Sequence, residues 1–353
     1  MAFLSFQPNK NFKPVKYTGN GANNHQITTV GFKPGLIWGK NYGEASYEHW
    51  MLDEVRGFGS GSTDSPVLNS NNTNEEFDRN VFGDDGMLSN GFELNDYSDS
   101  NANTKNYIAW CWKGSGTSGS ANTDGSINST VSVNTDAKWS IVTYTGTGSA
   151  GTVGHGLGVK PAAMFIRRAD GSSHWTVYNH AQGAQYKLYL DDTHALTDDA
   201  GAFNDTDPTT SVFSVGTEAD TNASGGRIIA YVFAETKGFF RCGQYSGTND
   251  TDGPYVHLGF KPAFLLFKNQ GSSVERWANY DKLRAGYNSQ NNRLSASDNT
   301  AESAETEKID FMANGFKIRS NGDGHLNDSN SHQWFAWADE PIVATNNVPN
   351  TAR

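Results

Sequence analysis

Three times along this chain a Tyr-Thr/Ser-Gly opens a segment and a Lys-Pro follows at one fixed distance. Tyr17 lies 17 residues before Pro34, Tyr144 17 before Pro161, and Tyr245 17 before Pro262. The prolines end near-identical strings: Gly31-Phe32-Lys33-Pro34, Gly158-Val159-Lys160-Pro161 and Gly259-Phe260-Lys261-Pro262. A tryptophan follows each (Trp50, Trp175, Trp277), and each segment closes on Ile108-Ala109-Trp110, Ile229-Ala230-Tyr231 or Phe335-Ala336-Trp337. An internal repeat of this kind decides how the rest of the chain is read. Repeats of about 20–50 residues stack into solenoids, because one unit cannot bury its own apolar face. A unit of about 100 residues can enclose a core, so three similar domains in tandem are expected.

The units are unevenly spaced, 127 residues from Tyr17 to Tyr144 and 101 from Tyr144 to Tyr245. Most of the excess falls in 114–138, where Gly114-Ser115-Gly116-Thr117-Ser118-Gly119-Ser120 reads as a flexible tether. The expected division is an N-terminal arm (1–15), a first repeat (16–113), a linker (114–138), a second repeat (139–236), a third (237–343) and a C-terminal tail (344–353). The first repeat is then loosely coupled, whereas a short junction near Glu235-Thr236-Lys237-Gly238 holds the other two stiffly.

Each proline precedes an apolar run: Leu36-Ile37-Trp38, Ala162-Ala163-Met164-Phe165-Ile166 and Ala263-Phe264-Leu265-Leu266-Phe267. Short runs bounded by Pro and polar turns read as interior strands. Later strands recur at Gly91–Leu94, Val212–Val215 and Gly315–Ile318, and Ile228–Phe233, apolar on both faces, belongs in the middle of a sheet. The window 301–312 reads as a short helix. The expected class is all-β: three antiparallel sandwiches of jelly-roll or concanavalin-like type, with about seven or eight strands each.

A net charge of −11 argues against nucleic acid, whose phosphates call for a basic face. No apolar run approaches the roughly 18 residues of a membrane span, and no secretion signal is expected at the N-terminus. Cys111 and Cys242 fall at non-equivalent places in the repeat and read as buried free thiols, as in a reducing cytoplasm.

The motifs point away from catalysis. Gly146-Thr147-Gly148-Ser149-Ala150-Gly151 has the glycine spacing of a dinucleotide loop, but Thr152-Val153-Gly154-His155-Gly156 cannot start the helix that would hold a pyrophosphate. Asp250-Thr251-Asp252-Gly253 and Asn321-Gly322-Asp323-Gly324 resemble half a calcium loop without its later glutamate, and read as turns. No nucleophile elbow and no zinc spacing occurs, so no catalytic residue, metal or cofactor is expected. Tyr17, Pro34, Trp50 and their counterparts Tyr144, Pro161, Trp175, Tyr245, Pro262 and Trp277 recur, so they read as parts of the fold. The non-recurring Tyr42, Tyr47 and Tyr97 are the candidates for surface recognition, because aromatic rings beside Asn and Asp suit sugar faces and hydroxyls. A binding surface is expected between tryptophan and closing strand, in 51–90, 176–211 and 278–311.

Several strings resemble a family of tandem-repeat virion proteins, structural or tail-fibre-like, of marine bacteriophages. They include Phe12-Lys13-Pro14-Val15-Lys16-Tyr17-Thr18-Gly19, Asp53-Glu54-Val55-Arg56-Gly57, Tyr107-Ile108-Ala109-Trp110-Cys111-Trp112-Lys113 and Thr152-Val153-Gly154-His155-Gly156-Leu157-Gly158. The resemblance covers essentially the whole chain and carries no functional residues. It implies a non-enzymatic virion component, assembled in the host cytoplasm, whose first repeat and arm attach to the particle while repeats two and three contact the host surface. Its partners would be other virion proteins and a host glycan or protein. A homo-oligomer follows by analogy with fibres, a trimer in particular, although no heptads specify one. The alternatives are a purely architectural piece (head decoration, tail knob or adaptor) and a glycan-binding or polysaccharide-degrading protein.

Overall fold

The computed structural model describes residues 6–341, and the expected tail at 344–353 lies outside them. Every repeat builds the same antiparallel four-strand frame. Its opening strands are Phe12–Thr18, Trp139–Thr145 and Phe240–Ser246. These pair with the closing strands Asn106–Trp112, Arg227–Phe233 and Ser331–Trp337. On the closing strand's other side run the post-proline strands Leu36–Asn41, Ala163–Arg168 and Phe264–Asn269, followed by Trp50–Asp53, Thr176–Asn179 and Ala278–Asp281. The recurring Gly-x-Lys-Pro supplies the corner before the post-proline strand: Gly31, Gly158 and Gly259 all have φ between 67° and 82°, which a side chain would strain.

The closing and post-proline strands are buried on both faces, and their period of two sends alternate residues to two different cores. In the first repeat Ala109 and Cys111 face a local cluster, which a three-stranded sheet of His25–Ile27, Gly91–Leu94 and Phe82–Leu88 covers. In the second, Gly151–Gly154 and Val212–Val215 make the cover. In the third, the frame sheet itself rolls over through Gln290–Ser295 into Ser303–Met312, Gly315–Ile318 and Tyr255–His257. The opposite faces converge. Ile108, Trp110 and Trp112, then Ile229, Tyr231 and Phe233, then Phe335 and Trp337 all enter one central cluster.

Register locates a pseudo-three-fold axis in that cluster. Trp112, Phe233 and Trp337 occupy one structural position, opposite Leu36, Ala163 and Phe264 on one side and Phe12, Trp139 and Phe240 on the other. Their rings meet pairwise, with centroids 6.3, 5.4 and 5.6 Å apart. Matching Phe335-Ala336-Trp337 to Ile108-Ala109-Trp110 by sequence is therefore off by two residues, a slip that leaves each side chain on the right face. The tryptophan landmark slips by one, which does not. Trp175 and Trp277 enter the central cluster, but Trp50 pairs with Gly39 and fills the first repeat's own core. The true counterpart of Trp175 and Trp277 is His49, buried beside Trp50.

The three repeats close head to tail. Equivalent backbone bonds of 2.8 Å run from Glu302 N–H to Tyr42 O, from Glu76 N–H to Ala169 O and from Leu196 N–H to Gln270 O. Ring nitrogens cross the same junctions: His49 Nε2 to Ser295 O (2.9 Å), Trp175 Nε1 to Asn69 O (2.8 Å) and Trp277 Nε1 to Tyr189 O (2.6 Å). A buried cation joins each pair at one recurring position. Lys40 Nζ donates to Asn41 O, Tyr47 O and Asn299 O, and Lys268 Nζ to Thr193 O, Asn269 O and Ser272 O. Arg167 spreads its guanidinium over a loop of the first repeat. Burial pushes both lysines down to about 8.

Self-contained, loosely joined domains are thus not what forms. The segment 114–138 is no tether: Ser120–Asn122 and Ser129–Asn134 extend the second repeat's sheet, and the first repeat's Glu54 carboxylate accepts from Ser115 N–H (2.8 Å), Gly116 N–H (3.1 Å) and the Ser132 hydroxyl. Its Gly- and Ser-rich composition masked the alternating valines, of which Val131 enters the second repeat's core. The arm ends earlier than residue 15, since the opening strand begins at Phe12 and Phe6 already packs edge-on against Phe239 at 5.3 Å. The window 301–312 is strand, because Ile309 and Phe311 must alternate with polar neighbours to cover the third repeat's core.

The opening motif now has a physical reason. The hydroxyls of Tyr17, Tyr144 and Tyr245 donate to Ser100 O (2.8 Å), Thr221 O (2.6 Å) and Leu326 O (2.7 Å). In each case the next residue is a fully buried asparagine: Asn101, Asn222 or Asn327. Its Oδ1 accepts from the N–H three residues after the tyrosine (Asn20, Thr147, Thr248), and its amide donates to carbonyls of the turn. A Cβ on Gly19, Gly146 or Gly247 would collide with the carbonyl oxygen of Ala102, Ala223 or Asp328. Tyrosine and glycine are thus set by one corner whose central asparagine the sequence pattern did not single out.

His49 makes the fold sensitive to acid. Trp38 Nε1 donates to its Nδ1 (2.9 Å), so the proton sits on Nε2, and a second proton, on Nδ1, would point at the Trp38 N–H. Burial, with Lys40 nearby, holds His49 well below its usual value, and burial lowers His155 and His332 too. The unfolded chain therefore takes up protons below about pH 6.5 that the folded chain refuses, and stability falls as pH falls from there. His174, raised by its bond to Asp191, works the other way. Each lowered histidine contributes a slope that grows toward a limit of about 1.4 kcal/mol per pH unit as pH falls below about 6.5. The urea midpoint should drop between pH 7 and 5.5, and less steeply in His49→Gln; equal slopes for the two proteins would refute this account.

Candidate functional site

The three candidate tyrosines do not converge. Tyr42 packs half-buried against the central cluster and its carbonyl makes the junction bond to Glu302. Tyr47 is half-buried and gives its carbonyl to Lys40. Both belong to the closure between first and third repeats. Tyr97 alone lines an open groove of about 660 Å³, where the first repeat meets Ser172 of the second.

The groove is built by an excursion within 51–90. Ser65–Val67 and Phe77–Arg79 form a two-stranded sheet, and the loop between them supplies Asn69, Asn72, Asn74 and Glu75. That loop has little apolar content to fix it. The second repeat holds it instead: Arg167 bonds the carbonyls of Asn69 (3.3 Å), Asn72 (3.3 Å), Thr73 (3.2 Å) and Asn74. Ser173 N–H adds a bond to Thr73 O at 2.9 Å, and Glu76 pairs with Arg227 and with Arg56. The groove's shape is therefore a product of the junction.

Its far wall is a polar relay. Tyr97 OH donates to Asp99 Oδ2 (2.6 Å), Asp99 Oδ1 accepts the Glu48 N–H (3.3 Å), and Glu48 accepts from the amides of Asn71 and Asn299 (2.8 Å). Burial raises both the Tyr97 phenol and the Asp99 carboxyl, the phenol further because of Asp99. Arg79 lies over the Phe77 ring at 4.8 Å. Glu48, Glu75 and Asp99 against Arg79 leave the lining net acidic. This arrangement offers fixed acceptors, side-chain amides and aromatic surface, the equipment for holding a hydroxyl-rich ligand.

The arrangement closest to a catalytic one lies in the second repeat, where His174 Nδ1 meets Asp191 Oδ2 at 2.7 Å and stacks on Tyr189 at 4.3 Å. The adjacent Ser173 hydroxyl has Asp220 Oδ1 (2.8 Å) and the His174 carbonyl (3.1 Å) as acceptors for its one proton, not an imidazole nitrogen, so it is not activated. The calcium-like turns are tied into ion pairs, Asp252 with Lys317 and Asp323 with Lys308 and His325. Among the described residues no group of three or more His, Cys, Asp or Glu side chains is placed to hold a metal ion. Gly146–Gly151 leads from the opening strand into Gly151–Gly154, which pairs with Val212–Val215, and no helix begins there. No helix among the described residues is long and apolar enough to cross a membrane. Cys111 and Cys242 are buried and unpaired, their thiols pushed up by burial.

Fold and groove together define an all-β protein whose three repeats share one core and shape an open polar groove at a junction. A family model, Domain of unknown function (DUF7483), matches residues 7–341, thus all three repeats at once, and the chain belongs to that family. No curated protein and no solved structure matches it.

Proposed function

We propose that the protein is a non-enzymatic bacteriophage virion component, tail- or fibre-like, built of three sandwich repeats, which attaches to other virion proteins and contacts the host surface through the groove beside Tyr97. The resemblance of its repeated strings to marine phage virion proteins supports the setting, and virion is the proposed location. The observation that carries the contact role is the groove itself, a polar surface site held rigid by Arg167 from a neighbouring repeat. The shared core changes the division of labour: attachment and contact belong to faces of one body, not to a first repeat and a projecting pair.

The architectural alternative calls for recurring apolar residues at an intermolecular interface. Here those residues, Trp112, Phe233 and Trp337 among them, are buried inside one chain. The three-fold arrangement that fibres obtain by trimerising is present within a single chain.

The full-length protein, fluorescently labelled, should bind host cells, and Tyr97→Ala should reduce that binding about tenfold or more while leaving the near-ultraviolet circular dichroism intact. Undiminished binding by that variant would remove the groove from the contact role. A particle reconstruction with the groove facing virion protein would favour the architectural alternative.

A further inference from the structure

We infer that the groove takes an uncharged or amino-substituted saccharide chain and discriminates against acidic ones, a specificity that rests on the surface-contact reading above. Its volume of about 660 Å³ lies within the roughly 300–1,000 Å³ of small-ligand sites, and it is open to solvent, as a site for part of a longer chain must be. Three lining carboxylates, Glu48, Glu75 and Asp99, face one cation, Arg79. That cation is exposed, with its guanidinium over the Phe77 ring and its Nη1 donating to Asp78 O at 2.8 Å. A uronate or phosphate on the ligand would meet three carboxylates against that one guanidinium, whereas hydroxyl and ammonium groups are donors and match the acceptors.

The acceptors are also aimed. Asp99 is fixed by Tyr97 OH and the Glu48 N–H, and Glu48 by two asparagine amides, so each carboxylate is oriented before a ligand arrives and keeps further lone pairs for it. Half-buried Tyr97 lies beside them and supplies ring surface for a sugar's C–H face.

Isothermal titration of the full-length protein with three tetrasaccharides of similar length tests this: a chitin tetramer (neutral), its deacetylated counterpart (cationic) and tetragalacturonate (anionic). Either of the first two should bind at least about tenfold more tightly than the third. The double variant Glu75→Gln with Asp99→Asn should narrow that ratio, Tyr97→Ala should weaken binding of the preferred chain, and Tyr97→Phe should restore part of it. Tetragalacturonate binding as tightly as the others, or no binding of any of the three, overturns the inference. Cell binding that is lost in Tyr97→Ala while none of the three sugars binds overturns the saccharide specificity alone. Cell binding indifferent to Tyr97 overturns the surface-contact reading.

Discussion

Replacing Trp337 by alanine should destabilise all three repeats together, by about 3–5 kcal/mol. The Trp337 ring stacks on Phe264 with centroids 5.4 Å apart, lies 4.9 Å from Phe240, and meets Trp112 at 5.6 Å and Phe233 at 5.4 Å. Those neighbours come from every repeat, so the void left by the indole opens on the pseudo-three-fold axis and no single repeat can collapse to fill it. Unfolding in guanidinium, followed by tryptophan fluorescence, should remain one transition with a lower midpoint. Hydrogen exchange should accelerate in the closing strands of the first two repeats as well as the third. Self-contained domains would behave differently, with faster exchange confined to residues 237–341. That outcome would dismiss the shared core.

Arg167→Ala should cost about 2–5 kcal/mol, with the structural effect concentrated at the groove. The guanidinium is fully buried, lies over the Trp175 ring at 5.3 Å and gives its hydrogen bonds to carbonyls; among the described residues no carboxylate bonds it directly. Burial lowers it to about 10, which leaves it charged at neutral pH. Alanine leaves the carbonyls of Asn72 and Asn74 without that donor, each costing about 1–3 kcal/mol if it stays dry, while Asn69 O keeps Trp175 Nε1 and Thr73 O keeps the Ser173 N–H. Water entering through the groove limits the total. Amides from Asn72 to Glu76 should lose protection and ligand binding should weaken in parallel. Arg167→Lys, the residue type at the equivalent Lys40 and Lys268, should recover part of both because an ammonium still offers three donors. A thermal midpoint and loop exchange like those of the parent protein would show that the clasp is not what holds the groove.

Much of the frame was legible because each landmark answers to a local requirement. Tyrosine and glycine recur at the corner since one must reach a carbonyl and the other must leave room for one. The post-proline strands and Gly91–Leu94, Val212–Val215 and Gly315–Ile318 formed where period and turn residues placed them. Landmarks with loose local requirements misled. One residue of slip put Trp50 in the place of His49, because a tryptophan next to the junction position looks in sequence like one at it. Asn101, Asn222 and Asn327 went unmarked since a lone asparagine in an Asn-rich chain carries no period. Of the groove, Tyr97 and the stretch 51–90 were indicated by their failure to recur. Arg167 was invisible there, being 70 residues beyond Tyr97 and in another repeat.

The sequence by itself determined that the chain is built of strands, that it repeats three times, and that Ile228–Phe233 in the second repeat is covered on both faces. Only the tertiary structure decided what covers the second face. Alternation of apolar residues reports that a side is buried, but burial against one's own second sheet and burial against two neighbouring repeats remove the same surface from water. The difference rests on contacts between residues more than a hundred positions apart, such as Trp112 with Phe233 and Trp337. Those contacts turn three potential domains into one closed body and, through Arg167, give its groove a shape.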